Sequence, residues 1–395
     1  MKKWTGIVLA GLAGLIWAPQ DAQAMSQWAR KYGVSCTVCH TTVPRLTPVG
    51  YKFRAAGFRM PDEIGQDAKF NGLKDLYAVR IREEFRVKNN NSDNTSTAFA
   101  FHELTFYPIS GAIGKWWAAE SELTFVPDEK PEVENAYVRA AVPKGDDWLL
   151  TARAGIFHPY EGYGASDRSI SNYRPLLLTG QAQHGSFKSP VKVFGQDQEG
   201  LEVGASYKDA RLTAAILNGF NTAGGGANVG EDNQLRDILV FYNQILGDRS
   251  GVSAEILNGY TDHDLTGAAG KEWTNNYLRT NVFGHYDVAK RLTLLAGAGV
   301  GQDHFPDPGG FVYSKSWFAT AESNLHEHFT GQLRYDKFTP SAARSDVRKE
   351  AITLTGAIPF DNVKFLVDYQ YARSLAPATP DAVEHNVRLE WMVIY

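Results

Sequence analysis

A side-chain pattern of period two, held over stretches of ten or more residues, constrains this chain most. Between Tyr77 and Val87 one face is mostly apolar and the other carries Arg80, Arg82, Glu84 and Arg86. The stretches Val363–Tyr371 and Val383–Tyr395 alternate in the same way. Successive side chains of a strand point to opposite faces, so each stretch reads as a strand with one apolar and one polar side. Strands of soluble sandwiches average about 5–6 residues, whereas a strand tilted across a bilayer needs about 9–11. Length therefore selects strands that span a membrane.

About sixteen such segments follow one another. Their expected starts lie near Leu73, Thr97, Lys115, Glu132, Asp147, Asp197, Ala210, Asn233, Gly251, Glu272, Arg291, Gly310, His328, Asp346, Asp361 and Ala382. The connections alternate in character. Pro143–Asp146, Lys208-Asp209, Gly247–Arg249, Ala289-Lys290 and Pro359–Asp361 are tight turns. Between them lie longer polar links such as Asn89–Ser96 and Asn221–Asp232, the longest running from His158 to Gln196. Short turns on one side and long loops on the other mark an outer-membrane β-barrel. An even strand count puts the N-terminus on the short-turn, periplasmic side. The terminal aromatic, Tyr395, is a familiar ending for such barrels. The expected fold is an all-β transmembrane barrel of about 16 antiparallel strands, wide enough for an aqueous lumen. Arg80, Glu120, Glu122, Arg334, Asp336 and Arg388 are expected to face inward. They read as a solvated wall in the first instance.

Composition excludes several other classes. No stretch beyond residue 24 reaches the roughly 18 apolar residues of a spanning helix. The formal net charge of −4 leaves no basic footprint for nucleic acid. Two cysteines are too few for a disulfide framework.

The first 24 residues read as a signal peptide. Lys2 and Lys3 form its basic start, Thr5–Ala18 its apolar run, and Ala22-Gln23-Ala24 the small-x-small cleavage pattern. Export to the periplasm or beyond follows.

Both cysteines lie in Cys36-Thr37-Val38-Cys39-His40. Spacings of three and four put these side chains on one face of a helix. Covalent attachment of a c-type haem needs that arrangement: two thiols form thioethers and the adjacent imidazole ligates iron. A tetrahedral zinc site would need further Cys or His nearby, and a dithiol redox motif a βαβ unit. Neither is present in this segment. One covalent haem c is therefore expected on Cys36, Cys39 and His40. Met60 is the candidate for the other axial position, being the only methionine inside the same small segment apart from the start residue Met25. His102 is its rival if the haem enters the lumen. Met60 also reads as a residue that packs against the haem edge. Residues 25–72 then form a monohaem cytochrome c domain, and 73–395 the porin-like barrel. A core this small leans on its cofactor. Trp28, Tyr32, Phe53 and Phe58 read equally as haem-packing and as core aromatics. With one haem and a hydrocarbon layer about 30 Å thick, the haem segment is expected to plug the lumen.

The stretch Gln27-Trp28-Ala29-Arg30-Lys31-Tyr32-Gly33-Val34-Ser35 before the motif, Pro44-Arg45-Leu46 after it, and Gly50-Tyr51-Lys52-Phe53 resemble the fused monohaem cytochrome–porins of iron-oxidising bacteria. In that family an aromatic-Ala-Arg segment precedes the haem motif and Pro-x-Leu follows it. The barrel matches only in architecture and approximate length. The resemblance implies an outer-membrane protein that takes electrons from extracellular Fe(II) and passes them to a periplasmic c-type cytochrome. It gives Cys36, Cys39 and His40 the haem roles, and Met60 has no equally firm equivalent. The reaction implied is outer-sphere electron transfer of the iron:cytochrome c type. Asp128, Glu129 and Glu132 cluster in one long link but read as a solvated loop. Three alternatives stand beside this reading: outward transfer to an extracellular acceptor, a solute porin with a haem-bearing plug, and a haem enzyme with an open sixth position.

Overall fold

In a computed structural model of the protein, the described residues are 27–42, 44–70, 72–90, 95–127, 129–159, 170–184, 187–190, 197–219, 236–248, 250–264, 272–289, 291–305, 310–326, 329–341, 347–360, 363–376 and 379–394. The signal peptide, Asp128 and Tyr395 lie outside them.

Sixteen antiparallel strands close into a barrel. They are β1 (Ala78–Asn90), β2 (Thr95–Tyr107), β3 (Trp117–Phe125), β4 (Glu132–Lys144), β5 (Trp148–Phe157), β6 (Gln198–Tyr207), β7 (Ala210–Leu217) and β8 (Asp237–Leu246). The second half is β9 (Ser250–Asp264), β10 (Glu272–Ala289), β11 (Leu292–Phe305), β12 (Gly310–His326), β13 (Phe329–Thr339), β14 (Arg348–Phe360), β15 (Val363–Ala376) and β16 (Thr379–Ile394). Every expected start falls within five residues of an observed one. Strand β2 is broken at Pro108, which has no N–H to give the ladder, and resumes at Ser110–Ala112 against β3. Closure pairs β16 with β1, from Glu384 opposite Asn90 to Ile394 opposite Arg80.

The alternation read from the sequence is the alternation of burial. In β8 every second side chain from Asp237 to Ile245 is buried and those between them are exposed or nearly so. The outward set includes Ile81, Leu201, Ile216, Val240, Ile256 and Leu354. A closed, lipid-facing sheet leaves no unpaired edge, as a bilayer requires. Trp148 and Tyr207 pack at the short-turn rim with ring centroids 4.8 Å apart, at the level where interfacial aromatics sit.

Among the described residues, two pieces of chain fill the interior. The first is residues 27–77, which close the short-turn mouth. They comprise α1 (Gln27–Tyr32), the single turn α2 (Cys36–Cys39), a two-stranded ribbon of His40–Thr42 with Arg45–Leu46, and α3 (Pro48–Ala55). Thr47 caps α3 by accepting from the Gly50 amide at 3.1 Å, and Pro48 opens it. Gly57, at φ +71°, ends it. The Trp28 indole donates to the Ser110 carbonyl at 3.0 Å, and Arg139 to the Arg54 carbonyl at 2.6 Å. Lys52 pairs with Asp209 at 2.8 Å. Deepest is Arg45, which reaches Asp287 on β10 at 3.1 Å, Thr293 on β11 at 2.9 Å and Glu322 on β12 at 2.9 Å. The segment thus touches strands from β2 to β12 and spans the mouth.

The second piece comes from the long β5–β6 connection. Its helical turn α4 (Leu176–Thr179) lies inside the barrel, with Leu177 and Leu178 buried among Phe157, Leu239, Phe241, Tyr277, Phe283 and Phe318. This part of the longest link folds inward because those apolar side chains have an apolar inner wall to join. Asn172 donates its amide to Asp368 at 2.9 Å, and the Leu176 amide bonds Asp336 at 3.1 Å.

Arg45 is a guanidinium buried against two carboxylates, so truncating it strands charge in the lumen, at a cost of about 3–5 kcal/mol. Arg45→Ala is expected to free residues 27–77 for limited proteolysis while the barrel keeps its heat-modifiable mobility on a denaturing gel.

Candidate functional site

The Cys36–Cys39 turn stands at the short-turn mouth, since the residues that follow it, Thr41 and Thr42, bond Asn324 near the end of β12. Cys36, Cys39 and His40 are brought together by one helical turn and the residue after it. Neither cysteine is in a disulfide, and both are half-buried. The helix α3 lies hard against this turn. A Cβ on Gly50 would fall 2.2 Å from the Cys39 carbonyl oxygen, so only glycine permits the approach.

His40 is oriented for ligation. Its Nδ1 lies 3.2 Å from the Pro44 carbonyl, to which it donates, and this leaves Nε2 as the free acceptor. Burial pushes the imidazole below its ordinary range, against the pull of the Pro44 and Arg45 carbonyls, so the ring is neutral as a ligand must be. Burial, aided by the neighbouring Cys36 thiol, pushes the Cys39 thiol up. Two thiols outside any disulfide, on one helical turn with the imidazole next in the chain, fit the attachment of one haem c.

Met60 is placed elsewhere. It packs with Trp28, Tyr32, Phe53 and Phe58 against Ala118 of β3. Trp28 stacks on Phe58 at 4.6 Å, and Tyr32 meets Phe53 edge-on at 5.7 Å. The four aromatics form the segment's own core. A cavity of about 660 Å³ opens between α3 and the turns after β4 and β6, lined by Tyr51, Arg59, Trp148, Lys208 and Ile245. On α3 it borders Tyr51, Lys52 and Ala55, away from the Gly50 side that carries Cys39.

Inside the barrel the expected inward charges are found, and they are paired. Arg80 bonds Glu103 at 2.7 Å and Glu122 at 3.2 Å. Arg334 bonds Asp336 at 2.7 Å. Glu120 accepts from the Tyr137 hydroxyl. Closure of β16 on β1 creates a group that no local pattern reveals: Glu84, His102 and Glu390, with ligand atoms within 4.8 Å of one another. A divalent cation would suit these three groups, but the Arg388 guanidinium already takes its place. It pairs with Glu84, approaches Glu390 at 3.2 Å and contacts the His102 ring at 2.9 Å. His102, the rival axial ligand, is thus held on the wall by Arg388 and Glu390.

No family model matches the sequence, and no curated protein matches it. Solved structures do. The chain is similar to an anion-selective porin from Comamonas acidovorans, with a TM-score of 0.56 at 10% identity over 81% of this chain and 99% of that one. It is similar to Pseudomonas putida OprB at TM-score 0.55 and 10% identity, over 81% and 94% of the two chains. The outer membrane channel DcaP of Acinetobacter baumannii gives 0.52 at 12% identity, over 81% and 96%. The likeness is one of fold: a closed barrel of the outer-membrane porin type, whose place is the bacterial outer membrane. The resemblance to fused cytochrome–porins rests on the N-terminal residues alone.

If Arg388 stands in for a metal, removing it should create a metal site. Arg388→Ala is expected to bind Co(II) with new visible absorption, and Arg388→Ala with His102→Ala is not. Absence of Co(II) binding in the single variant would count against this account of the cluster.

Proposed function

We propose that this outer-membrane barrel carries one haem c at its periplasmic mouth and uses it for single-electron transfer to a periplasmic c-type cytochrome. The observation that carries the reading is the Cys36–Cys39 turn with His40 held by Pro44, on a segment anchored in the barrel end. A haem bound there supplies a one-electron iron couple. The chain supplies the rest. Cys36 and Cys39 tether, and the His40 imidazole ligates. Gly50 lets α3 back the tether closely. Arg45 fixes the segment against β10, β11 and β12, so the site keeps one orientation towards a partner. Met60 is the residue proposed to join His40 in holding the iron; in this structure its side chain packs against the Phe53–Phe58 cluster.

The proposed donor is Fe(II) from the extracellular side. Strand β12 has 17 residues, which at about 3.3 Å rise and a tilt of about 40° carries the wall roughly 40 Å from rim to rim. Iron docked on an outer loop is out of direct reach of the tether, so the donor must enter the lumen. Outward transfer uses the same parts in reverse, and the potential of the bound group against its partners sets the direction.

A second reading has its own support. The fold is a porin's, and the lumen keeps a charged wall along β1–β3 and β13–β16, which the α4 connection meets at Asp336, Asp368 and Arg82. A solute channel with the N-terminal segment as a fixed plug fits those features.

The two readings separate by stopped-flow absorbance of the oxidised holoprotein mixed with Fe(II) under anoxia. Fast, saturable reduction supports the electron-transfer reading. Reduction by a strong reductant but not by Fe(II) removes iron as donor. Cys36→Ala with Cys39→Ala is expected to abolish covalent haem on a denaturing gel. Met60→Ala should erase the methionine-to-iron charge-transfer band of the oxidised protein.

A further inference from the structure

The charged wall where β16 meets β1 has a layered order. Arg80, Arg82, Glu84, Arg86 and Lys88 alternate along β1 on its inner side, and Arg388 faces them from β16 at the level of Arg86. Formally the cations and carboxylates here balance, yet they are not equally reachable. Side-chain exposure is 52% for Arg86 against 0% for its partner Glu84. It is 18% for Arg82 against 5% for Glu390, and 17% for Arg80 against 2% for Glu122. Arg388, at 12%, covers the same two carboxylates, Glu84 and Glu390. Around Glu84, Glu390 and Glu122 the carboxylates form a rear layer and the guanidinium groups the face turned to the lumen; only at the end of the row does a carboxylate, Glu384 beside Lys88, share the exposure at 41%.

We propose that this face is a track for small anions, carboxylates above all, running up the lumen along β1 and β16. The inference rests on the solute-channel reading of the barrel and names what the channel takes. A guanidinium carries five N–H donors in a planar fork that matches a carboxylate. Each buried carboxylate occupies only some of its arginine's donors. Arg82 also gives a donor to the Asn172 side chain at 2.8 Å, while Arg86 stays half-exposed to the lumen. An entering anion therefore meets donors directly. An entering cation meets guanidinium groups and would have to displace one to reach a carboxylate. Fixed charge at the lining of a low-dielectric passage concentrates the opposite mobile ion. Iron using this route would travel as an anionic carboxylate chelate, with the hard oxygen ligands that suit it.

The test is the reversal potential of the full-length protein in a planar bilayer under a tenfold KCl gradient. The expected sign is that of chloride selectivity. Arg86→Gln should lower the anion-to-cation permeability ratio about twofold or more, and Arg86→Lys should keep it. Arg86 is the most exposed of the set, so neither change disturbs folding, and heat-modifiable gel mobility checks this. Millimolar citrate should block chloride current in the unaltered protein and do so more weakly in Arg86→Gln. Current that is cation-selective or unselective, or a ratio unmoved by Arg86→Gln, overturns the anion track while the channel reading survives. No current at all overturns both.

Discussion

Everything in this molecule follows from the rule that a strand inside a bilayer cannot leave backbone amides unpaired. An open sheet of these lengths would present two bare edges to hydrocarbon, each unmet group costing several kcal/mol. The sheet must therefore close, and it closes between the last strand and the first. That seam fixes the register of all sixteen strands, since one slip would turn every apolar face inward. The same seam assembles Glu84, Glu390, Arg388 and His102 from residues about 290 positions apart. The charged cluster is a by-product of covalent chain ends meeting at a fixed register.

Closure also creates an inside, and the interior is treated as two environments. From β4 to β12 the inner wall is largely apolar near α4, and Leu177 and Leu178 complete it as they would a soluble core. Across the lumen the wall is ionic and each buried carboxylate has a cation in reach. The plug below follows the same division. Its aromatics pack on Ala118, while Arg45 enters where Asp287 and Glu322 await it. Neither filler is held by one kind of force, so neither end of the barrel is a simple lid.

The barrel was legible because period two is a local property that survives in a single sequence. The short turns mark one end of the barrel, and the spacing of Cys36, Cys39 and His40 predicts the single helical turn that groups them. What was not legible depended on the third dimension. The expected start at Leu73 precedes the observed start at Ala78 because a 3₁₀ turn at Leu73–Asp75 intervenes, and its single apolar residue mimicked the strand pattern. Leu176-Leu177-Leu178 is a short apolar run in a polar loop, a hint of burial, but nothing local says buried against what. Arg45 fills the unspecified place in the Pro-x-Leu pattern, and only the folded barrel shows the acids that hold it. Met60 lay within reach of His40 by sequence distance, yet aromatic packing places it among Phe53 and Phe58.

The Arg45 anchor sets a chronology. Its partner Glu322 lies 277 residues further along the chain, so the contact cannot form until β12 has been made and laid into the wall. Closing so long a loop comes late for entropic reasons as well. Until then the N-terminal segment has only its contacts with earlier parts of the wall, Trp28 with Ser110, Arg54 with Arg139 and Lys52 with Asp209. Once β10 to β12 seat Arg45, the segment is tied into the barrel mouth. The first residues of the fold thus take their final seat only on the arrival of the C-terminal half of the same polypeptide.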